Sequence, residues 1–217
     1  MTTFLYEFQD MIRVGQLLTE RNQVAGTDGN ISVRSGPDQI LMTPTGRELG
    51  DLDETDLLRL DLEGNVIEGH GRPSSETAMH LRIYARRPEI RAVVHAHPIF
   101  ATAFASAGKE LAWDVLPETA LFVGPIPLTD YAAPGTDEVP QVVDRYLANN
   151  NALLLRNHGL VALGHSLKEA YRRLDMIEHT AQILFYSHQL GDPQKIPKYD
   201  LERLIRLRKE MENQNSD

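Results

Sequence analysis

The stretch that most restricts the fold lies between residues 152 and 189. Residues 152–155, Ala-Leu-Leu-Leu, and 160–163, Leu-Val-Ala-Leu, are short apolar runs that read as paired strands around the turn Arg156-Asn157-His158-Gly159. A long helical pattern follows over residues 166–189, and its start, Ser166-Leu167-Lys168-Glu169, matches a capping box. Paired strands followed at once by a long helix call for helices layered on a sheet, an α/β or α+β arrangement.

The rest of the chain adds to the same pattern. Residues 4–22 carry a helical period, and residues 26–34 read as a turn-rich loop feeding a strand, with two glycines flanking a position where the backbone can approach a ligand. Residues 39–43 form a short strand, 44–46 a turn, and 58–62 with 65–68 a hairpin around Glu63-Gly64, so an antiparallel sheet is expected. Residues 73–76 resemble a helix start with serine as N-cap, leading into a helix over 77–87 that Pro88 ends. Residues 91–97 read as a strand, 101–107 and 137–149 as helices, and the charged tail from residue 195 as one more helix. Two prolines make residues 123–128 irregular. No repeat, low-complexity tract or linker breaks the 217 residues, which predicts a single domain over 1–217.

Thirty-one acids against twenty-two Lys and Arg leave a formal charge of −9, which argues against nucleic acid or an anionic membrane as a partner. No window approaches 18 uninterrupted apolar residues, so the reading is a cytoplasmic protein. The absence of cysteine excludes disulfides, thiolate ligands and a cysteine nucleophile. Any zinc must therefore sit on histidine and carboxylate.

Eight histidines are available. In the strand ending at Pro98, His95 and His97 stand at i and i+2 and project from one face, so they can present two imidazoles to one point. His158, in the turn between the paired apolar strands, could be a third ligand, and three protein ligands plus an open position is the plan of a catalytic zinc site. Alone, the His-x-His pair fits a polar strand face equally well. His70, His80, His165, His179 and His188 read as surface or hydrogen-bonded residues, although Glu76 and His80, four apart, can share a helix face.

Five motifs together resemble the class II sugar-phosphate aldolase/adducin head family, of the L-fuculose-1-phosphate aldolase type. They are Gly29-Asn30-Ile31-Ser32, Thr43-Pro44-Thr45-Gly46, Pro73-Ser74-Ser75-Glu76, His95-Ala96-His97 and Asn157-His158-Gly159-Leu160, in family order from about residue 26 to residue 178. The resemblance implies a three-layer α/β/α fold around a mostly antiparallel sheet, and a homotetramer with active sites between subunits. It implies zinc, with Mn2+ or Co2+ as substitutes, on His95, His97 and His158, with Glu76 as a fourth ligand before substrate binds. It places phosphate-binding residues at Asn30, Thr45, Gly46, Ser74 and Ser75, where turn amides, hydroxyls and a helix start can hold a dianion without Lys or Arg.

The implied reaction is reversible cleavage of a ketose 1-phosphate, of the L-fuculose or 5-deoxyribulose kind, to dihydroxyacetone phosphate and a short aldehyde. Glu76 is the implied proton-transferring base, a role best served by a pKa raised toward neutrality. A catalytic tyrosine of fuculose-type aldolases is missing from the segment Leu116-Pro-Glu-Thr-Ala120, where Glu118 is the candidate replacement and equally fits an exposed loop acid. Tyr131 falls on a family-like segment that core packing also explains. Asp28 would repel a phosphate, so it is expected to turn outward or cap the backbone. The family also contains L-ribulose-5-phosphate 4-epimerases, which have Asp at the Glu76 position, and phospho-keto-acid decarboxylases, which have Lys at the Ser75 position. An interaction module like the adducin head is the non-catalytic alternative.

Overall fold

The computed structural model describes residues 2–214; residue 1 and residues 215–217 of the expected domain lie outside the described residues. In chain order, helix α1 (Thr2–Glu20) leads into strands β1 (Asn30–Arg34), β2 (Gln39–Met42), β3 (Leu58–Asp61) and β4 (Val66–Glu68). Helix α2 (Thr77–Arg86), strand β5 (Ala92–Ala96) and helices α3 (Ile99–Ser106), α4 (Pro117–Phe122) and α5 (Glu138–Asp144) follow. Strands β6 (Ala152–Leu155) and β7 (Gly159–Gly164) then precede helices α6 (Leu167–Leu190) and α7 (Lys198–Gln214). The strands form one sheet in the order β4-β3-β2-β1-β5-β7-β6, with every neighbouring pair antiparallel.

Alternation along the strands sorts side chains into two cores. Ile31, Val33, Leu41, Val94, Leu154 and Ala162 face one side and pack with Met11 and Leu18 of α1, Ala105 of α3 and Leu174 and Ile177 of α6. Ile40, Met42, Leu60, Val93, Leu153 and Val161 face the other and pack with Met79 and Ile83 of α2 and Val139 and Val143 of α5. A sheet apolar on both faces demands cover on both, which produces the three-layer α/β/α architecture. No helix among the described residues is long and apolar enough to cross a membrane.

The strand register sets up the site. Asn30 of β1 stands directly opposite His95 of β5, which in turn faces Val161 of β7. Directly opposed residues share a face, so Asn30 and His95 project together into the α2/α5 layer.

Several local expectations shift. Residues 117–122 form a short helix, not a loop, because Pro117 occupies its first turn after an extended Leu116. Helix α2 begins at Thr77 without a serine N-cap; Ser74 instead accepts the Glu76 amide through its hydroxyl at 3.2 Å and the Thr77 hydroxyl through its carbonyl at 2.6 Å. That turn withholds Glu76 from the helix proper. Helix α5 stops at Asp144 rather than near residue 149. Ser166 caps α6 as expected, accepting the Glu169 amide at 3.2 Å, and the Glu169 carboxylate reaches back to the His165 amide at 2.7 Å.

Candidate active site

His95 is fully buried at the end of β5, and its Nδ1–H donates to the Leu160 carbonyl across the β5–β7 ladder at 3.1 Å. This bond turns Nε2 toward the cluster, 3.2 Å from His97 Nε2. His97, just past the strand, is held by its amide on the Gln23 carbonyl and by its Nδ1, 3.3 Å from Asp28 Oδ2. His158 completes a near-equilateral triangle of rings, with centroids 4.8 to 5.0 Å apart.

Two backbone features make this convergence feasible. Asn157 takes a positive φ of 56° in the β6–β7 turn, a conformation that Asn tolerates, and so sets the path of the chain into His158. Gly159 leaves room for the rings: a Cβ there would come within 2.6 Å of both the Ala96 carbonyl oxygen and His97 Cδ2.

Glu76 closes the cluster from the α2 side. Its Oε2 lies 3.0 Å from His95 Nε2 and accepts Asn30 Nδ2–H at 2.9 Å. Its Oε1, buried and without a hydrogen-bond donor, lies 3.4 Å from His158 Nε2. Burial favours the neutral acid, but His95, His158 and the Asn30 amide outweigh it and hold the Glu76 carboxyl well below the usual carboxylate range. The direction is opposite to the expected rise toward neutrality, because imidazoles surround this carboxylate where an apolar wall would have raised it. Burial also opposes protonation of all three histidines. The Glu76 charge overrides it at His95, whose pKa is raised, whereas His97 is lowered and His158 falls to about 4.

The donor set fits a divalent cation. The three ligand nitrogens lie within 4.8 Å of one another, and tetrahedral zinc with Zn–N near ~2.0 Å places its nitrogens roughly 3.3 Å apart. The His95–His97 separation already has that value. The donorless Glu76 Oε1 is the kind of buried oxygen that a cation or a substrate hydroxyl would satisfy.

The expected phosphate residues gather beside this cluster to different degrees. Asn30 Nδ2 also donates to Ser74 Oγ at 3.2 Å, which ties β1 to the turn before α2. The Thr45–Gly46 turn is drawn to the same place by the Pro44–Pro73 bridge. Thr45 uses its amide on the Arg72 carbonyl at 3.0 Å, so its exposed hydroxyl is the group left for a ligand. Ser75 is exposed, and the loop at Gly135 closes over it, with an added Cβ only 3.4 Å away. Asp28 is exposed, as the outward turn required, and its Oδ2 also reaches His97 Nδ1 at 3.3 Å; among the described residues it caps no backbone amide.

Glu118 and Tyr131 lie elsewhere in the chain. Glu118 lines a groove of about 870 Å³ with Arg172 and His179 of α6, and Tyr131 is 58% exposed on the loop before α5. His80, which shares a face of α2 with Glu76 as the four-residue spacing suggested, bonds Asn30 and Ser32; the further bond from Ser32 to Tyr84 was not foreseen in the sequence. The spacing of residues 76, 80 and 84 at four-residue steps was the available signal.

The profile of the class II aldolase and adducin N-terminal domain family matches residues 9–185. The chain belongs to this family. An L-fuculose phosphate aldolase of Methanococcus maripaludis is 38% identical over 184 residues, which are 85% of this chain and 99% of that protein. A 3-oxo-tetronate 4-phosphate decarboxylase of Escherichia coli (strain K12) is 34% identical over 188 residues, 85% of this chain and 87% of that one. A solved structure of an L-fuculose 1-phosphate aldolase superposes with a TM-score of 0.85 at 31% identity, covering 92% of this chain and 94% of the other. The chain is thus an α/β/α protein of the class II aldolase family with a three-histidine group that could bind a metal.

Proposed function

We propose that the protein is a zinc-dependent aldolase that reversibly cleaves a ketose 1-phosphate, of the L-fuculose or 5-deoxyribulose type, into dihydroxyacetone phosphate and a short aldehyde. The observation that carries this reading is the placement of Glu76, an ionised carboxylate within 3.4 Å of the Nε2 atoms of His95 and His158. A divalent cation on His95, His97 and His158 supplies Lewis-acid stabilisation of negative charge on the substrate's C2 oxygen.

The chain's own residues do the rest. Asn30, Ser74, Ser75, Thr45 and Gly46 hold the phosphate through amides and hydroxyls. In the condensation direction ionised Glu76 removes the C3 proton of dihydroxyacetone phosphate; in the cleavage direction it first takes a proton from solvent and delivers it to C3. In cleavage the C4 hydroxyl proton must leave as the C3–C4 bond breaks, and Glu118, reaching the site from a neighbouring subunit, takes it up and returns it to solvent. The side chains Ile99, Phe185 and Tyr186, exposed near the start of α3 and on α6, offer a surface for self-association, and a homotetramer with sites between subunits is the assembly this reading calls for. The protein works as a single domain in the cytoplasm, with zinc replaceable by Mn2+ or Co2+.

Ser75 favours the aldolase over the decarboxylase, because no lysine stands at that position to neutralise a substrate carboxylate. Glu76 in place of Asp favours it over the epimerase. The intact His95-His97-His158 group favours an enzyme over an interaction module. Zinc-loaded protein should release dihydroxyacetone phosphate from L-fuculose 1-phosphate or 5-deoxyribulose 1-phosphate. Release of CO2 from 3-oxo-tetronate 4-phosphate, with no cleavage of either ketose phosphate, would overturn the assignment.

A further inference from the structure

Behind Glu76 runs a chain of buried polar groups that the proposed chemistry does not use directly. Asn30, Ser32, His80 and Tyr84 are each no more than 3% exposed. The direction of every hydrogen bond along it follows from one end. An ionised Glu76 oxygen only accepts, so the Asn30 atom 2.9 Å from it is the amino nitrogen and Oδ1 must face the other way. His80 Nε2 lies 2.6 Å from that Oδ1, so this nitrogen carries the proton. In the neutral ring Nδ1 is then the acceptor, and it takes the Ser32 hydroxyl proton at 2.6 Å. The Ser32 oxygen accepts from Tyr84 O–H at 2.8 Å. Each donor thus points toward Glu76, an arrangement in which successive bonds strengthen one another. Full burial supports the neutral ring, lowering the His80 pKa to about 3.

We propose that His80 is a positioning residue: its Nε2–H fixes the Asn30 carboxamide so that the amino group faces Glu76 and Ser74, while Ser32 and Tyr84 fix the tautomer of His80. An amide is nearly symmetric in shape, so packing alone does not choose between its two orientations. Reversed, Asn30 would set its carbonyl oxygen against the Glu76 carboxylate and withdraw its donor from the phosphate side. The inference rests on Glu76 being the proton-transferring carboxylate.

Two substitutions separate positioning from packing. Glutamine carries its amide nitrogen near the place of a histidine Nε2, and asparagine near that of Nδ1, so His80→Gln keeps a donor for Asn30 and His80→Asn does not. In the zinc-loaded full-length protein, His80→Asn should slow deuterium exchange into dihydroxyacetone phosphate about 30-fold, as expected for losing one buried bond that orients a reacting group. His80→Gln should recover to within about threefold of the parent, and in an Asn30→Ala background His80→Asn should cost no more than about twofold further. Equal losses in the two variants, or a full loss in the Asn30→Ala background, would mean that His80 acts only through packing.

Nitrogen-15 NMR of the ring tests the same claim without activity and without any His80 variant that might fail to fold. The parent should show His80 as a single neutral Nε2–H tautomer, with one environment for the Asn30 side-chain amide. An Nδ1–H tautomer or an imidazolium in the parent would overturn the proposal. If the parent exchanges no dihydroxyacetone phosphate, the aldolase reading falls, and the tautomer together with a single Asn30 amide environment still decides whether His80 orients Asn30.

Discussion

The absence of a side chain at residue 159 keeps the histidine rings in place. An alanine methyl there would press on the Ala96 carbonyl and on the His97 ring at 2.6 Å, and the carbonyl belongs to β5, an interior strand paired on both sides, and cannot retreat. His97 must give way instead. Gly159→Ala should therefore weaken zinc binding about tenfold or more, measured by competition with a chelator, and lower unfolding stability in urea by about 1–3 kcal/mol. At this scale the convergence of His95, His97 and His158 into a group that could hold a metal was legible in sequence from the i, i+2 spacing, although β5 ends at Ala96 and His97 lies just beyond it. The contact of Asp28 with His97 was not. A loop carboxylate's direction depends on backbone angles around Gly29, whose φ of +78° and position, where a Cβ would meet the His95 carbonyl at 2.8 Å, appear only in three dimensions. The acidity of Glu76 was misjudged for a related reason, since the sequence does not say whether apolar walls or imidazoles surround it.

At the scale of elements, the docking of α2 on β1 places Glu76 and also makes the fold sensitive to acid. His80 goes from an ordinary value of 6.5 to about 3 on burial, so between these limits the unfolded chain binds a proton that the folded chain refuses. Its contribution to stability is full above pH 6.5 and is lost as the pH falls, by up to about 1.4 kcal/mol per pH unit. Glu76, also lowered, adds to the loss only below its ordinary value of 4.5. His95, raised, works in the opposite direction. Both are unchanged in His80→Gln, so between pH 6.5 and 5 the variant should lose stability less steeply than the parent in urea melts followed by circular dichroism. Most elements were readable because their periodic patterns run over several turns or strand residues. Helix α4 was not, since six residues with a proline at the start give less than two turns of pattern. Ser74 and Ser75 looked like helix caps, but the hydroxyl of Ser74 serves the amide of Glu76 one residue before the helix begins.

At the scale of the whole molecule, a formal charge of −9 is compatible with the proposed anionic substrate, because the turns at Thr45 and Ser74 offer amides and hydroxyls and the three histidines could hold a cation. The three histidines join two separate parts of the chain: the end of β5, with His95 and, just beyond it, His97, and the β6–β7 turn, which carries His158. A cation bound there stabilises only the folded state. Zinc at 1,000 times its dissociation constant should therefore add about 4 kcal/mol of stability and raise the melting temperature, and a chelator should reverse the gain. Helices layered on a sheet were foreseeable from the helix and strand pattern and the three-layer order from the family resemblance, but the route of the sheet from β1 across to β5 and β7 was not, since it depends on pairings between residues about sixty or more positions apart.

All three scales meet at one proton. Zinc-loaded protein incubated with dihydroxyacetone phosphate in heavy water, without aldehyde, should replace one of the two C3 hydroxymethyl hydrogens with deuterium, and Glu76→Gln should lower that rate about 100-fold or more while still binding zinc. Exchange that persists in Glu76→Gln, or no exchange by folded, zinc-loaded parent, would contradict the assignment of Glu76 as the proton carrier of a sugar-phosphate aldolase.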